Sequence, residues 1–217
     1  MSAETVRALS ASGFSLYGFM AVGGSDRAGL PLVWLQTSDY SLRTEVSWTE
    51  RFEAYTSFGT VARGASIHAA ASYAIAAGET LEVEDAKGTG TVVRGGVPGA
   101  LSIENRTVTP LACGLAPAQG GVSSPSCVFP LHGNNLQILV PVQRVLLMFS
   151  VVQIPPGTAI GRASGPGILI DSEGARERAV AFDIDAGWSA GGSTWAQQVT
   201  ASANIVPLLV IPVPIDL

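Results

Sequence analysis

Alternation of apolar and polar positions is the strongest signal along this chain. From Leu42 the even positions read Leu42, Thr44, Val46, Trp48, Glu50, Phe52 and Ala54, and the odd ones Arg43, Glu45, Ser47, Thr49, Arg51 and Glu53. Successive side chains on a strand point to opposite faces, so 42–54 predicts a strand with an apolar inner face interrupted once, at Glu50. Trp48, Phe52 and Tyr55 also fit a helical stripe, but the β-formers Thr44, Val46, Trp48 and Thr49 and the length of the alternation favour the strand. Ile67, Ala69, Ala71, Tyr73 and Ile75 make a second alternating face, opposed by His68, Ala70, Ser72 and Ala74. Its alanines suit a helix; the alternation again favours a strand.

Shorter strands are predicted over 81–84, 91–94, 100–104, 136–140, 144–153, 159–163, 167–171, 179–185, 195–200 and 206–211. The run 144–153 is apolar on both faces, the mark of a strand covered from both sides. Residues 113–127 are too rich in Gly, Pro and Ser to be regular. Residues 172–178 read as one helical turn or a charged hairpin tip, and 1–10 as a short helix or a frayed arm. Turn signals recur roughly every 8–12 residues without an internal repeat, which is the rhythm of an all-β fold. The expectation is a single-domain antiparallel β-sandwich spanning 1–217 with about a dozen short strands, or alternatively a distorted β-barrel.

Composition narrows the class. Of 217 residues only 13% are charged, Lys87 is the sole lysine, and the formal net charge is −5. High hydrophobicity excludes disorder. An acidic chain with scattered arginines has no cationic surface for phosphates, so nucleic acid is excluded as a partner. Glu104, Arg106, Arg144, Arg162 and Asp171 are the only charges in 101–172, and Asp216 is the only one in 187–217. A two-layer fold buries that much apolar chain only if some strands are covered on both faces, or if an apolar surface serves a partner, a ligand or a second copy. The N-terminal residues lack a signal-like apolar stretch, so the expected location is cytoplasmic, or outside the cell by release without a signal peptide. In that setting Cys113 and Cys127 are expected to be free thiols rather than a bridge.

Candidate chemistry is sparse. His68 and His132 have no ligand-spaced partner, and Asp183-Ile184-Asp185-Ala186-Gly187 carries only half of a calcium loop, so neither a metal nor a cofactor is expected. Gly88-Thr89-Gly90 and Gly95-Gly96 have no helix behind them and read as hairpin turns. Cys127 and His132 lie five residues apart but among apolar neighbours, which does not suit a reactive thiolate. The most suggestive segment is Gly187-Trp188-Ser189-Ala190-Gly191-Gly192-Ser193-Thr194-Trp195. Two tryptophans flank a small-residue loop, with Asp183 and Asp185 before it and Gln197 and Gln198 after it. Aromatic rings with carboxylates and amides nearby are suited to sugars, the ring facing the apolar side of a pyranose. The bland alternative is that the tryptophans pack the core. Trp34 and Trp48 lie on apolar stripes and are expected in the core; Tyr40, in a polar turn-like stretch, is expected to be exposed and to join Trp188, Trp195, Asp183, Asp185 and Gln197 as a binding residue.

Three functions follow. The first is a non-catalytic, lectin-like protein binding a glycan or lipid headgroup through aromatic loops. The second is a membrane-active, self-assembling homo-oligomer. The third is a cofactor-free enzyme acting on a hydrophobic small molecule, with Glu50 or His68 as its acid–base group; a Glu50 buried on its apolar stripe would have a raised pKa. A bulge that turns Glu50 outward would remove that last reading.

Overall fold

The computed structural model describes residues 1–119 and 122–213. In chain order the first elements are α1 (Ala3–Ala11), β1 (Ser15–Gly24), β2 (Leu30–Pro31), β3 (Leu35–Thr37), β4 (Phe52–Ser57), β5 (Ala71–Ile75) and β6 (Glu79–Val83). Then come β7 (Gly90–Arg94), β8 (Leu101–Asn105), β9 (Leu111–Gln119), β10 (Val122–Ser123), β11 (Cys127–Leu131) and β12 (Asn135–Ser150). The chain closes with β13 (Gly167–Asp171), β14 (Ala181–Asp183), β15 (Gly187–Ser189), β16 (Ala196–Val199), α2 (Val206–Leu209) and β17 (Val210–Pro212).

These strands form a nine-stranded sheet, a six-stranded sheet and the two-stranded hairpin β14–β15. The large sheet runs β16-β13-β12-β8-β6-β7, with β1 added to β12, and β3 and β17 added to β1; the second runs β2-β11-β9-β4-β5, with β10 on β9. No sheet closes on itself among the described residues. Most pairs are antiparallel, but β6–β8 and β1–β17 are parallel, which a purely antiparallel design does not contain.

The 16-residue β12 organises the molecule. Its first part pairs with β8 and its second with β13, while β1 runs along it from Ser15↔Ser150 to Gly24↔Leu139. Between Met20↔Val145 and Val22↔Pro141 the register slips, so that Ala21 alone faces Val142, Gln143 and Arg144. Such a bulge accommodates Pro141, which lacks the amide a regular ladder position uses.

Of the run 144–153 expected to be covered on both faces, residues 145–150 are buried, whereas Arg144 is half-buried and Val151, Val152 and Gln153 lie exposed past the end of β12. Val145, Leu147 and Phe149 belong to one core with Leu9, Met20, Trp34, Tyr40, Phe182 and Trp188. Leu146 and Met148 belong to another with Tyr17, Phe19, Val33, Ile154, Ile205 and Leu209. At the other end of the large sheet, Leu81, Ile103 and Leu139 meet Ala54, Leu115 and Phe129 of the six-stranded sheet in a shared core. The shortage of charge therefore corresponds to strands sandwiched between two apolar layers, each removing side chains from water at about 25 cal/mol per Å².

Several elements differ from expectation. Only the tail of 42–54 is a strand, within β4; residues 41–51 make no ladder. Thr44, Val46 and Trp48 are half-buried between exposed neighbours, and Trp48 meets Trp34 edge-on at 6.2 Å, but Leu42, expected on the inner face, is 58% exposed. The segment is a strap laid on a core, so alternation turns these three side chains inward without supplying a pairing partner. The expected irregular loop 113–127 contains most of β9 and the short β10. Residues 159–163 make only isolated bridges, and 206–211 divide into one helical turn and β17. The strands outnumber the expected dozen. Cys113 and Cys127 are buried free thiols, as expected without a bridge.

Candidate functional site

A groove of about 310 Å³ opens where the end of α1 meets β3 and the chain leaving β12. Ser2 caps the start of α1 by accepting the Thr5 amide at 3.0 Å. The helix ends at Ser12, and Gly13 takes a φ of +70°, a left-handed conformation that glycine adopts without strain. That reversal brings Phe14 to the groove wall, where its carbonyl accepts the Tyr40 hydroxyl at 3.0 Å.

The opposite wall depends on Tyr17, fully buried in β1. Its hydroxyl donates to the Val152 carbonyl at 2.8 Å and accepts the Ile154 amide at 3.3 Å, which fixes the path of Gln153 between them. Gln36 on β3 donates through Nε2 to Gln153 Oε1 at 3.2 Å. The groove is thus lined by Ser10, Phe14, Gln36, Ser38, Tyr40 and Gln153 together with Gly13 and Ser15, none of them charged. Amides and hydroxyls beside one half-buried ring can exchange hydrogen bonds with a neutral polar ligand while the ring covers an apolar face.

The predicted aromatic site is built differently. Trp188 is 6% exposed and stacks on Phe149 at 5.5 Å, while Phe182 lies edge-on to it at 4.9 Å. Its indole N–H donates to the Pro166 carbonyl at 3.1 Å. Trp188 is therefore core, and its ring face is not open to a ligand. Trp195 is half-buried, with the Arg178 guanidinium 5.0 Å above its ring, a cation–π contact that occupies that face. Tyr40, expected in solvent, is 8% exposed and edge-on to Phe149 at 5.3 Å. The polar residues around it are turn formers; its ring closes the core behind the groove that its hydroxyl end lines.

Asp183 accepts the Asp185 and Ala186 amides at 3.0 and 3.1 Å, turning the β14–β15 hairpin. It also accepts the Thr5 hydroxyl at 3.1 Å, tying the hairpin to α1. These donors, the Ala186 amide first, hold its carboxyl below the usual range. Asp185 and Gln197 are exposed, and Gln198 donates to the Trp188 carbonyl at 2.7 Å.

Glu50 is exposed on the strap and accepts Gln143 Nε2 at 2.9 Å. The burial that its use as a general acid requires is absent. His68 is exposed just before β5, within 3.1 Å of the Ser66 hydroxyl. Among the described residues no three His, Cys, Asp or Glu side chains gather to hold a metal.

Of the predicted binding residues, only Tyr40 lines the groove. Ser10, Phe14, Gln36, Ser38 and Gln153 carry no motif, and nothing in their spacing brings them together; β1 and β3 do. No family model, curated protein or solved structure matches the chain.

Proposed function

We propose that the chain is a single-domain, sandwich-type β-protein whose function is non-catalytic and lectin-like, binding a neutral glycan in the groove between α1, β3 and Gln153. The observation that carries this reading is the uncharged lining of that groove: two amides, several hydroxyls and the Phe14 ring. Neutral donors and acceptors match sugar hydroxyls, and an aromatic wall matches the C–H face of a pyranose. The aromatic contribution thus comes from Phe14 rather than from Trp188. Titration with neutral oligosaccharides selected on a glycan array tests it. Saturable binding that Gln153→Ala weakens at least about tenfold supports the reading; no retention of any glycan overturns it.

A second reading has its own support. Val151 and Val152, 52% and 51% exposed, lie immediately before Gln153. Two exposed apolar side chains next in sequence to a groove-lining residue suit contact with a lipid surface, the headgroup occupying the groove. Co-sedimentation with liposomes separates this reading from a soluble glycan.

A further inference from the structure

A second groove, of about 590 Å³, lies where the chain leaving β1 meets the turn between β11 and β12. Two reciprocal bonds fix its base: the Ser25 amide donates to the Ile138 carbonyl and the Ile138 amide to the Ser25 hydroxyl, both at 3.0 Å. Asp26 turns the chain by accepting the Ala28 amide through Oδ1 at 2.8 Å. Arg27, His132 and Asn135 line the groove with Ser25 and Asp26, and Gln137 also reaches it.

The feature that calls for a ligand is Gln137. It is 4% exposed, yet the one bond its side chain makes is from Nε2 to the neighbouring Ile138 carbonyl, at the outer limit of 3.5 Å. Its Oε1 has no partner among the described residues and is open to the groove, where water or a ligand can serve it. Around it, Arg27 and His132 have no hydrogen bond or ion pair among the described residues. Asn135 spends Oδ1 on the Leu136 amide at 2.7 Å, which leaves its NH2 to donate. Donors therefore outnumber acceptors, the complement of an anionic oxygen ligand. Two acceptors remain, Asp26 Oδ2 and Gln137 Oε1, which suit hydroxyl protons. Pro130 and the 39% exposed Leu136 add an apolar wall.

We propose that this groove binds a carboxylate-bearing pyranose, a uronate. Arg27 takes the carboxylate, Asp26 and Gln137 take ring hydroxyls, and Leu136 covers the C–H face. The site stands apart from the neutral groove, with which it shares no residue.

The test is an amide-proton NMR titration of the full chain with glucuronate, glucose and acetate in parallel. Glucuronate is expected to give saturable shifts at residues 25–27, 132 and 135–137, with glucose and acetate each about tenfold weaker or worse. Arg27→Ala, at an exposed residue without partners, is expected to weaken glucuronate about tenfold. Gln137→Leu keeps the buried shape and removes the amide, and is expected to do the same. Gln153→Ala, in the other groove, is expected to leave glucuronate binding unchanged, so failure of either site is read separately. Absence of saturable shifts at these residues, equal affinity for acetate or glucose, or full binding by Arg27→Ala would overturn the proposal.

Discussion

The Tyr55 hydroxyl on β4 donates to the Cys127 carbonyl on β11 at 2.6 Å, crossing the intervening strand β9. Gly114 makes the crossing possible: it is the register partner of Tyr55, and a Cβ there would collide with the Cys127 carbonyl oxygen and meet the Tyr55 hydroxyl at 2.8 Å. Tyr55→Phe leaves a buried carbonyl without its donor and is expected to lower unfolding free energy by about 1–3 kcal/mol. Gly114→Ala is expected to cost more, because the obstacle is backbone. Urea unfolding of the two variants checks both; a Tyr55→Phe midpoint equal to the parent's would show that water or another donor replaces the hydroxyl.

The same region predicts weakness toward alkali. Burial pushes the Cys127 thiol up to about 12 from its ordinary 9.0, partly opposed by the Leu115 amide. Burial also raises Cys113 and Tyr55 well above their ordinary values. Above pH 9 the unfolded chain releases thiol protons that the folded chain retains, so the unfolded state binds fewer protons and stability falls as pH rises. The stabilisation is complete below pH 9 and is lost progressively toward pH 12, with a slope of up to about 1.4 kcal/mol per pH unit for each ionising group. Denaturation midpoints at pH 7, 9 and 10.5 are expected to be level and then falling. Iodoacetamide at pH 8 is expected to label neither cysteine in the native protein and both in urea; fast native labelling contradicts the buried thiols.

How much of the fold is legible in the sequence depends on what each pattern encodes. The double coverage of 145–150 follows from a run that is apolar on both faces, but the same apolar character in Val151 and Val152 does not carry the strand or its cover past Ser150. Its neighbour β1 does not follow: Gly18, Gly23 and Gly24 punctuate it like a turn, although all ten of its residues are buried. At Gly18 a Cβ would stand 3.0 Å from the Leu35 Cβ, so the glycine is there for close packing rather than for a turn. In 42–54 the alternation places Thr44, Val46 and Trp48 inward but misplaces Leu42, and it does not mark the ladder, since inward and outward positions do not specify a hydrogen-bonding neighbour. Among site residues, Tyr40 lacks the exposure that its polar neighbours suggest, and its groove partners Gln36 and Gln153 lie 117 positions apart. Only topology joins residues at that separation.

Trp188 and Trp195 separate structural from binding roles. Trp188→Ala removes a ring packed on Phe149 and Phe182 and orphans the Pro166 carbonyl; the expected loss is about 3–5 kcal/mol. Trp195→Ala forfeits a half-buried ring and one cation–π contact, and is expected to cost less than the Trp188 change. Thermal unfolding of the two variants checks the order. A Trp188→Ala protein as stable as the parent would return that ring to the candidate ligand platforms.

Gln153 discriminates between the glycan and lipid readings of the first groove. Its Oε1 accepts from Gln36 in a solvent-exposed bond, so Gln153→Ala is expected to leave stability within about 0.5 kcal/mol of the parent. If the groove binds a neutral glycan, the same change is expected to weaken that glycan at least about tenfold, as the loss of a directional donor and acceptor does. Gln153→Glu keeps the acceptor for Gln36 but places a charge in a lining that has none, which is expected to weaken binding further at low salt. Val151→Ser with Val152→Ser leaves the amides in place and removes the two exposed apolar side chains, so glycan affinity is expected to persist. Under the lipid reading the order reverses: the double serine variant loses liposome co-sedimentation, while Gln153→Ala retains most of it, because apolar insertion rather than a single amide supplies most of the attraction. Calorimetry with the glycan and sedimentation with neutral phosphatidylcholine vesicles, run on the same three variants, decide between them.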